Sequence, residues 1–577
     1  MTRRDHATDP LLPVLDALLR EDVVGLRTRS TPLERPDGGW LRLATTDHDA
    51  LLLPVRSVTP GFQCATEARL PLLRRESDGT ELTTADSILT ALAALADPRD
   101  RGGFADFATE CRQALAARRL HTATRDEVVG RLVAHHGDRP AHWTGLGAGL
   151  AFDTLAARHD HPVHPTSRGR SGLTDDDLRA YAPEFHPRFP LRGLVLPRDR
   201  VTTHGWGPDD LFPRPPGVAD DHIVLPVHPL TAGATLRQAL RAAGLDGSAT
   251  LTDGPHPQAV PTLSMRTVAL TADPRTHLKL PLATSTLGRL NRRTIKPGTL
   301  ADGVAGQRLL EKVIAHEPRF QGTVLHADET RYAHAGHELL AVLVRRYPDD
   351  LENAVVLPMA ALLSQSPAGR PLVDDLADRF YDGDPLTLLD AVLTLLFDWQ
   401  TTLFGHGIAL ESHQQNISLI LDRPGDRTRL RLLLKDNDGP RVNTVRLRET
   451  LGDDAADFHD PRVRTEHDGP ILDLFTTITV HLCAGAYAFG LARHGHAPLE
   501  RLLALIRDRL AAAADRLGTG PGEPGALLRT HVLDAAQLPI KAMITAGTLL
   551  AKERSGALDI NKHYGTGPNY LLRGSER

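Results

Sequence analysis

The chain has 577 residues, 41% of them hydrophobic and 24% charged, with a net charge of −5. That length exceeds what a single hydrophobic core serves, so two to four domains are expected, and the slightly acidic balance excludes a general field for nucleic acid. Cys64, Cys111 and Cys483 are far apart and form no CxxC pair, which excludes a zinc ribbon, an iron–sulfur motif and a disulfide framework.

The first residues, Met1–His6, are polar and lead into no apolar signal segment, and no run approaches the roughly 20 apolar residues of a membrane span. A soluble, cytoplasmic protein with no membrane association is expected. Residues 1–150 read as short strands mixed with helices. Thr84 heads a run with apolar positions at helical spacing, and 103–119 and 125–136 repeat that pattern. The stretch 159–216 is rich in Pro, His and Gly and reads as loop with short strands. Ile223–His228 reads as a buried strand, and 258–295 as strand, turn and strand. From about 337 onward, Leu/Ala-rich segments predict helices at 337–346, 354–364, 386–404, 469–493, 498–516 and 526–553. A β-hairpin, Ile417–Leu421 and Leu430–Leu434 around Arg423–Asp426, interrupts them. The fold class is α+β and multi-domain, with a mixed α/β N-terminal half and a mostly helical C-terminal half.

The chain holds seven lysines against sixty arginines. A GC-rich coding bias explains the arginines, and it makes each surviving lysine a candidate for a required ammonium, a point charge where arginine is a planar fork. Lys279 lies in His277-Leu-Lys-Leu-Pro-Leu282 and Lys435 in Leu434-Lys-Asp-Asn-Asp-Gly439.

Gly407-Ile-Ala-Leu-Glu411-Ser-His413-Gln-Gln-Asn416, the hairpin, and then Lys435-Asp436-Asn437-Asp438 form the densest polar cluster. A helix ending at Glu411 and His413, with Asp436 returning beside them, makes a hard-oxygen site suited to Mg²⁺ carrying phosphates. A capped helix end followed by a polar turn is the plain alternative. Strands through Ser264, Arg266 and Thr267 and through Lys279 place two cations and two hydroxyls on one sheet face, with Thr286 and Arg289 beyond them. That is a cradle for a triphosphate, or equally a solvated sheet face. His161-Pro-Val-His164 continues to Arg168 and Arg170. The prolines keep that backbone extended, so a loop offering donors to an anionic substrate is favoured over a metal site. The tail, with Lys541 and Asn561–Tyr570, carries no assigned role. No P-loop, no GxGxxG after a strand and no GxSxG elbow is present.

Taken in order, His161-Pro-x-His-Pro-x-x-Arg-x-Arg-x-Gly, Ser264-x-Arg-Thr, His277-Leu-Lys-Leu-Pro-Leu, Gly407-Ile-Ala-Leu-Glu-x-His-x-Gln-Asn and Lys435-Asp436 resemble the IucA/IucC family, the NRPS-independent siderophore synthetases. The family usually has Lys where this chain has Arg168, and Arg-Asp where it has Lys435-Asp436. The resemblance implies a cupped-hand fold of thumb (1–150), fingers (151–340) and palm (341–577). It also implies an ATP-dependent ligase that adenylates a citrate-like acid and passes the acyl group to an amine or hydroxyl, releasing AMP and pyrophosphate. Ser264, Arg266, Thr267, Lys279 and Arg289 would hold the nucleotide with His413, Asn416 and Asp436. Arg292 and Arg293 are alternatives to Arg289. Glu411 and Asp436 would hold Mg²⁺. His161, His164, Arg168, Arg170 and Lys435 would position substrate. Arg266, Lys279, His413 and His164 are the candidate catalytic groups, and a homodimer is implied as well. Two rival classes remain. One is a kinase-like phosphotransferase, which would release ADP. The other is a ferric-siderophore binding or reductase protein, to which the family's helical end has been compared.

Overall fold

The structure, a computed structural model, describes residues 9–46, 48–205, 212, 214, 216–252, 256–437, 439–452, 457–555 and 562–572; all structural statements below concern these. Asp438 and Asn561 lie outside them.

The N-terminal part is an antiparallel meander in the order Thr31–Arg35, Gly38–Thr46, Asp49–Ser57, Leu73–Arg75 and Glu81–Leu82, with Thr66–Ala68 added to the third strand. The helices Leu11–Arg20, Ala85–Ala93 and Arg101–Ala123 cover it. Thr84 starts the second of these helices as read from sequence: its hydroxyl accepts from the Ser87 N–H and the Ser87 hydroxyl accepts from the Thr84 N–H.

The central part is a seven-stranded antiparallel sheet. Its order is Phe189–Pro190, Gln258–Pro261, Thr267–Leu270, Thr276–Lys279, Ala341–Arg346, Asp328–His334 and Thr202–His204. Residues 337–346, read as helix, thus include the strand Ala341–Arg346. Its five consecutive buried positions give no alternation, so the pattern does not separate a buried strand from a buried helix. The same ambiguity made a helix of 354–364, where the chain forms the strand Val355–Pro358 and a short turn. A 20-residue helix, Pro297–His316, was not foreseen; Pro297 sits in its first turn, where a missing N–H costs nothing.

The C-terminal part is helical around the foreseen hairpin, now Ile417–Asp422 paired with Arg429–Leu434. Helices Pro385–Gly405 and Leu499–Asp515 match expectation. Residues 526–553 do not form one long helix: the strand Gln537–Lys541 interrupts them and pairs with Tyr564–Pro568. Gly469–Arg493 is long and apolar enough to cross a membrane by length and composition, contrary to the sequence reading, and 94% of its apolar window is buried inside the fold. Its middle, Phe475–Gly485, has wider π-type turns.

Three large hydrophobic clusters result. One joins the N-terminal sheet to Ile544 and Leu549 of the tail. A second lies on the central sheet. The largest gathers residues 129–163, 309–324 and the C-terminal helices around the fully buried Phe397 and Trp399. Each such aromatic contributes about 2–3 kcal/mol of burial. The helix Gly145–Ala157 therefore packs with the C-terminal elements, and its end leads into the loop 158–170.

Candidate active site

A cavity of about 400 Å³ lies beside that loop. Its wall takes His161, Arg168 and Arg170 from the loop after Gly145–Ala157, Ser264 and Arg266 from a turn of the central sheet, and Glu411, His413, Asn416 and Asp436 from both ends of the hairpin. Three segments separated by some 270 residues are thereby brought together. The local geometry differs from the sequence reading. Ser264–Arg266 is a tight turn, with Met265 at φ 63°, between two strands. The Ser264 hydroxyl accepts from the Thr267 N–H at 3.1 Å. Glu411 and His413 sit in a loop, because the helix ends at Gly405 and the short strand Ile408–Ala409 follows.

Asp436 is the centre of charge. Its residue adopts a left-handed backbone, φ 67°, unusual for a side chain with a Cβ. The Glu329 carboxylate holds that turn by accepting from the Asp436 N–H at 2.9 and 3.1 Å and from the Asn437 N–H at 3.4 Å. Gly306 lets the helix Pro297–His316 close against the same turn: a Cβ there would lie 2.6 Å from the Asn437 carbonyl oxygen. The Lys279 ammonium donates to the Asp436 carboxylate, and Arg345, itself paired with Glu329, stands 3.8 Å away. Burial opposes ionisation of Asp436, but Lys279, Arg345 and Arg266 outweigh it and hold its carboxyl well below the usual range. Asp436 is thus a fixed carboxylate on the wall.

Lys279 is not on the wall. It is buried behind Asp436, opposite Thr267 in the ladder, and Thr267 is buried with it. The expectation that both face phosphates directly is corrected: Lys279 meets the wall through its contact with Asp436. Arg289 is likewise displaced. Its side chain is 57% exposed and ion-pairs with Asp106 at 2.8 Å, whereas Arg293 lines the cavity. Lys435 is buried off the wall, its charge acting on buried Asp153. His164 is buried beneath the loop, with Nδ1 3.2 Å from the Thr166 hydroxyl, which in turn donates to Glu110. Burial and Arg20 push the His164 imidazole down to about 3.

Of the histidines expected at the site, His161 and His413 do face the cavity. His161 Nδ1 accepts from the N–H groups of Val163 and His164, and His413 Nδ1 accepts from the Gln415 N–H. Each ring therefore carries its proton on Nε2. Burial pushes His413 down to about 4, with Lys541 and Arg293 adding to the effect against Glu411 and Asp436. Burial, His164 and His413 push His161 well below its ordinary value. At neutral pH both are uncharged N–H donors. The cations include an unsatisfied donor: Arg266 gives one amino group to the Thr294 carbonyl at 2.6 Å, while its buried Nε has no partner among the described residues. A ligand oxygen is the natural complement.

The tail, unassigned from sequence, completes the wall. Lys541 donates to both oxygens of Glu411 at 3.0 and 2.9 Å, and Lys562 donates to the Gly439 carbonyl at 3.4 Å. The only available signal was lysine scarcity itself.

Among the described residues no three metal-ligating side chains cluster. Two wall carboxylates, Glu411 and Asp436, with the amide of Asn416, suit Mg²⁺ arriving on a nucleotide, which brings phosphate and water ligands of its own.

The cavity lies between the antiparallel central sheet and the helical C-terminal part and is lined by arginines and carboxylates, a site for a charged ligand. Residues 150–364 match the IucA / IucC family, and residues 386–556 match the ferric iron reductase FhuF-like transporter family. The fold is shared with two solved structures. Petrobactin biosynthesis protein AsbB from Bacillus anthracis str. Sterne aligns with TM-score 0.73 at 16% identity, covering 97% of this chain and 94% of that one. ATP-bound aerobactin synthetase IucA from Klebsiella pneumoniae aligns with TM-score 0.65 at 18% identity, covering 98% and 100%. Staphyloferrin A synthase of Staphylococcus aureus is 24% identical over 339 residues, 53% of this chain and 55% of that protein. The chain spans about half the length of the curated relatives it matches.

Proposed function

We propose that this protein is an ATP-dependent siderophore synthetase that adenylates a carboxylate of a citrate-like acid and condenses it with an amine or hydroxyl, releasing AMP and pyrophosphate. Its thumb (1–150), fingers (151–340) and palm (341–577) would meet at the cavity. The observation that carries the reading is the Arg266 Nε–H, an unsatisfied buried donor on the wall opposite the fixed Asp436 carboxylate.

In this reading Arg266 and Arg293 take the charge that grows on the α-phosphate as the substrate carboxylate attacks it. Glu411, Asp436 and Asn416 would hold Mg²⁺, which when bound would neutralise phosphate charge. His161 and His413 donate Nε2–H to oxygens of the acid or of the leaving pyrophosphate. Lys541 holds the Glu411 carboxylate in place at the cavity wall by donating to both its oxygens. The printed names of relatives support the acid class: one is an L-2,3-diaminopropanoate–citrate ligase, 34% identical over 79 residues. ATP use is supported by the ATP-bound aerobactin synthetase of the same fold. No cysteine is placed for an iron–sulfur centre: Cys64, Cys111 and Cys483 are buried and unpaired in different parts of the fold, so the FhuF-like match is read as shared helical architecture.

The test is hydroxylamine trapping with ATP and Mg²⁺ across citrate, 2-oxoglutarate, succinate and their mono-amides. Acid-dependent hydroxamate and pyrophosphate are expected from at least one acid. ADP as the nucleotide product would overturn the proposal in favour of phosphotransfer.

A further inference from the structure

A second cavity of about 350 Å³ adjoins the first, and the two share His159, Asp160 and Arg168 as a common wall. None of its other lining residues belongs to the nucleotide side. Arg118, Arg125 and Arg158 join Arg168 there, so four guanidiniums face one carboxylate, Asp160. Asp160 is divided between two of them: Arg118 donates to one oxygen and Arg168 to the other, each at 2.7 Å. The remaining two guanidiniums meet no carboxylate inside the cavity. Arg158 spends its nitrogens on the carbonyls of Glu184 and His121 and on the Thr124 hydroxyl. Arg125 donates to the Gln365 side chain and the Ser366 carbonyl, and its one acidic neighbour, Asp126, is fully exposed at 3.7 Å. His121 is buried against Arg168 and cannot supply negative charge. A concave space with this surplus of guanidinium charge is suited to a carboxylate, the planar partner that arginine forks recognise.

We propose that this arginine cavity binds the carboxylate of the second substrate, an amino-acid-type amine, and that its amine reaches the activated acid across the shared wall of His159 and Asp160. The inference rests on the ligase reading above. The acid's reacting carboxylate must meet the α-phosphate in the first cavity, beside Arg266 and Asp436, so the second cavity is left for the partner that arrives after adenylation. His159 is placed to help: its ring lies in the shared wall and makes no hydrogen bond among the described residues, so with Asp160 it can orient the incoming amine by hydrogen bonding, while burial pushes its imidazole down to about 4 and keeps it from holding the amine's proton. The step balances: the ammonium first loses a proton to water, the amine nitrogen then forms the amide bond as the acyl–phosphate bond breaks, AMP departs with the electron pair, and the nitrogen's second proton also passes to water.

The test uses the full chain, Arg118→Ala and Arg125→Ala, and a panel of 2,3-diaminopropanoate, ornithine and lysine set against ethylenediamine, putrescine and cadaverine, the same amines without the carboxylate. The wild type is expected to favour the carboxylate-bearing member of the matched pair it uses. Each variant is expected to raise KM for that amine about tenfold or more while leaving KM for its decarboxylated analogue and the rate of hydroxylamine trapping unchanged. Wild-type preference for the plain diamines would overturn the proposal. So would a raised KM for the acid in the trapping assay, which would assign the cavity to the acid's spare carboxylates. Absence of trapping in the wild type would instead defeat the ligase reading itself.

Discussion

Replacing Lys279 with methionine isolates the claim that this lysine works through Asp436. The stem volume is kept and the ammonium is lost. The Lys279 side chain is 4% exposed and that of Asp436 24% exposed, so the pair is largely removed from water. Breaking a buried pair costs about 3–5 kcal/mol; the partial exposure of Asp436 and the presence of Arg345 reduce this to about 2–3 kcal/mol. Burial is the strongest influence on the Asp436 carboxyl and favours its neutral form, and Lys279 is the largest opposing one. Without Lys279 the carboxyl therefore takes up a proton at a higher pH. The expected result is a fall of about 100-fold in kcat/KM, equal to about 2.7 kcal/mol of lost stabilisation, together with an acid limb that begins at higher pH than in the wild type. The assay is hydroxamate formation as a function of pH. Asp436→Asn controls for folding: it keeps the shape, loses comparable activity and shows no such limb. A flat pH profile for Lys279→Met, with kcat/KM within about threefold of wild type, would refute the reasoning.

Arg293→Ala is expected to raise KM for ATP by about tenfold or more, whereas Arg289→Ala, removing an exposed pair with Asp106, leaves kcat and KM within about twofold; equal effects in steady-state kinetics would contradict the placement. Lys541→Ala is expected to lower kcat/KM about tenfold with little change in Tm, because backbone pairing with Tyr564–Pro568 holds that strand; unchanged kinetics would remove the tail from the site. Asp16, whose Oδ1 accepts from the Ala68 N–H at 2.7 Å, has its carboxyl raised to about 6, by burial first and by Glu67 in addition. The folded state holds that proton more tightly than the unfolded chain, so the stability that Asp16 contributes declines as pH rises from about 4 to 6 and is level above. Asp16→Asn is therefore expected to gain about 1–2 kcal/mol at pH 8 and nothing at pH 4 in urea titrations; a gain independent of pH would contradict this.

The hairpin, the helix caps and the residues that chemistry needs most were legible, because turns, caps and dense polar blocks are local signals. Glu411, His413, Asn416 and Asp436 do converge, along with Ser264 and Arg266. What failed was nonlocal. Strands Ala341–Arg346 and Val355–Pro358 are buried on both faces, so their apolar runs read as helix. Arg289 and Arg293 are four residues apart in an irregular loop, and contacts with the tail decide which one turns inward: the Leu290 N–H donates to the Gly547 carbonyl and the Arg289 N–H to the Thr548 hydroxyl. The lysine bias proved informative in an unforeseen way. Lys541 and Lys562 line the cavity and Lys279 supports it from behind, while Lys435, chosen from its motif, is turned into the interior.

The most direct test of the central claim follows an oxygen atom. With the preferred acid labelled with ¹⁸O in its carboxylates, the account predicts that one labelled oxygen appears in AMP for each amide or hydroxamate formed, with pyrophosphate unlabelled. Label in inorganic phosphate alongside ADP would contradict it, because the acid would then have attacked the terminal phosphate.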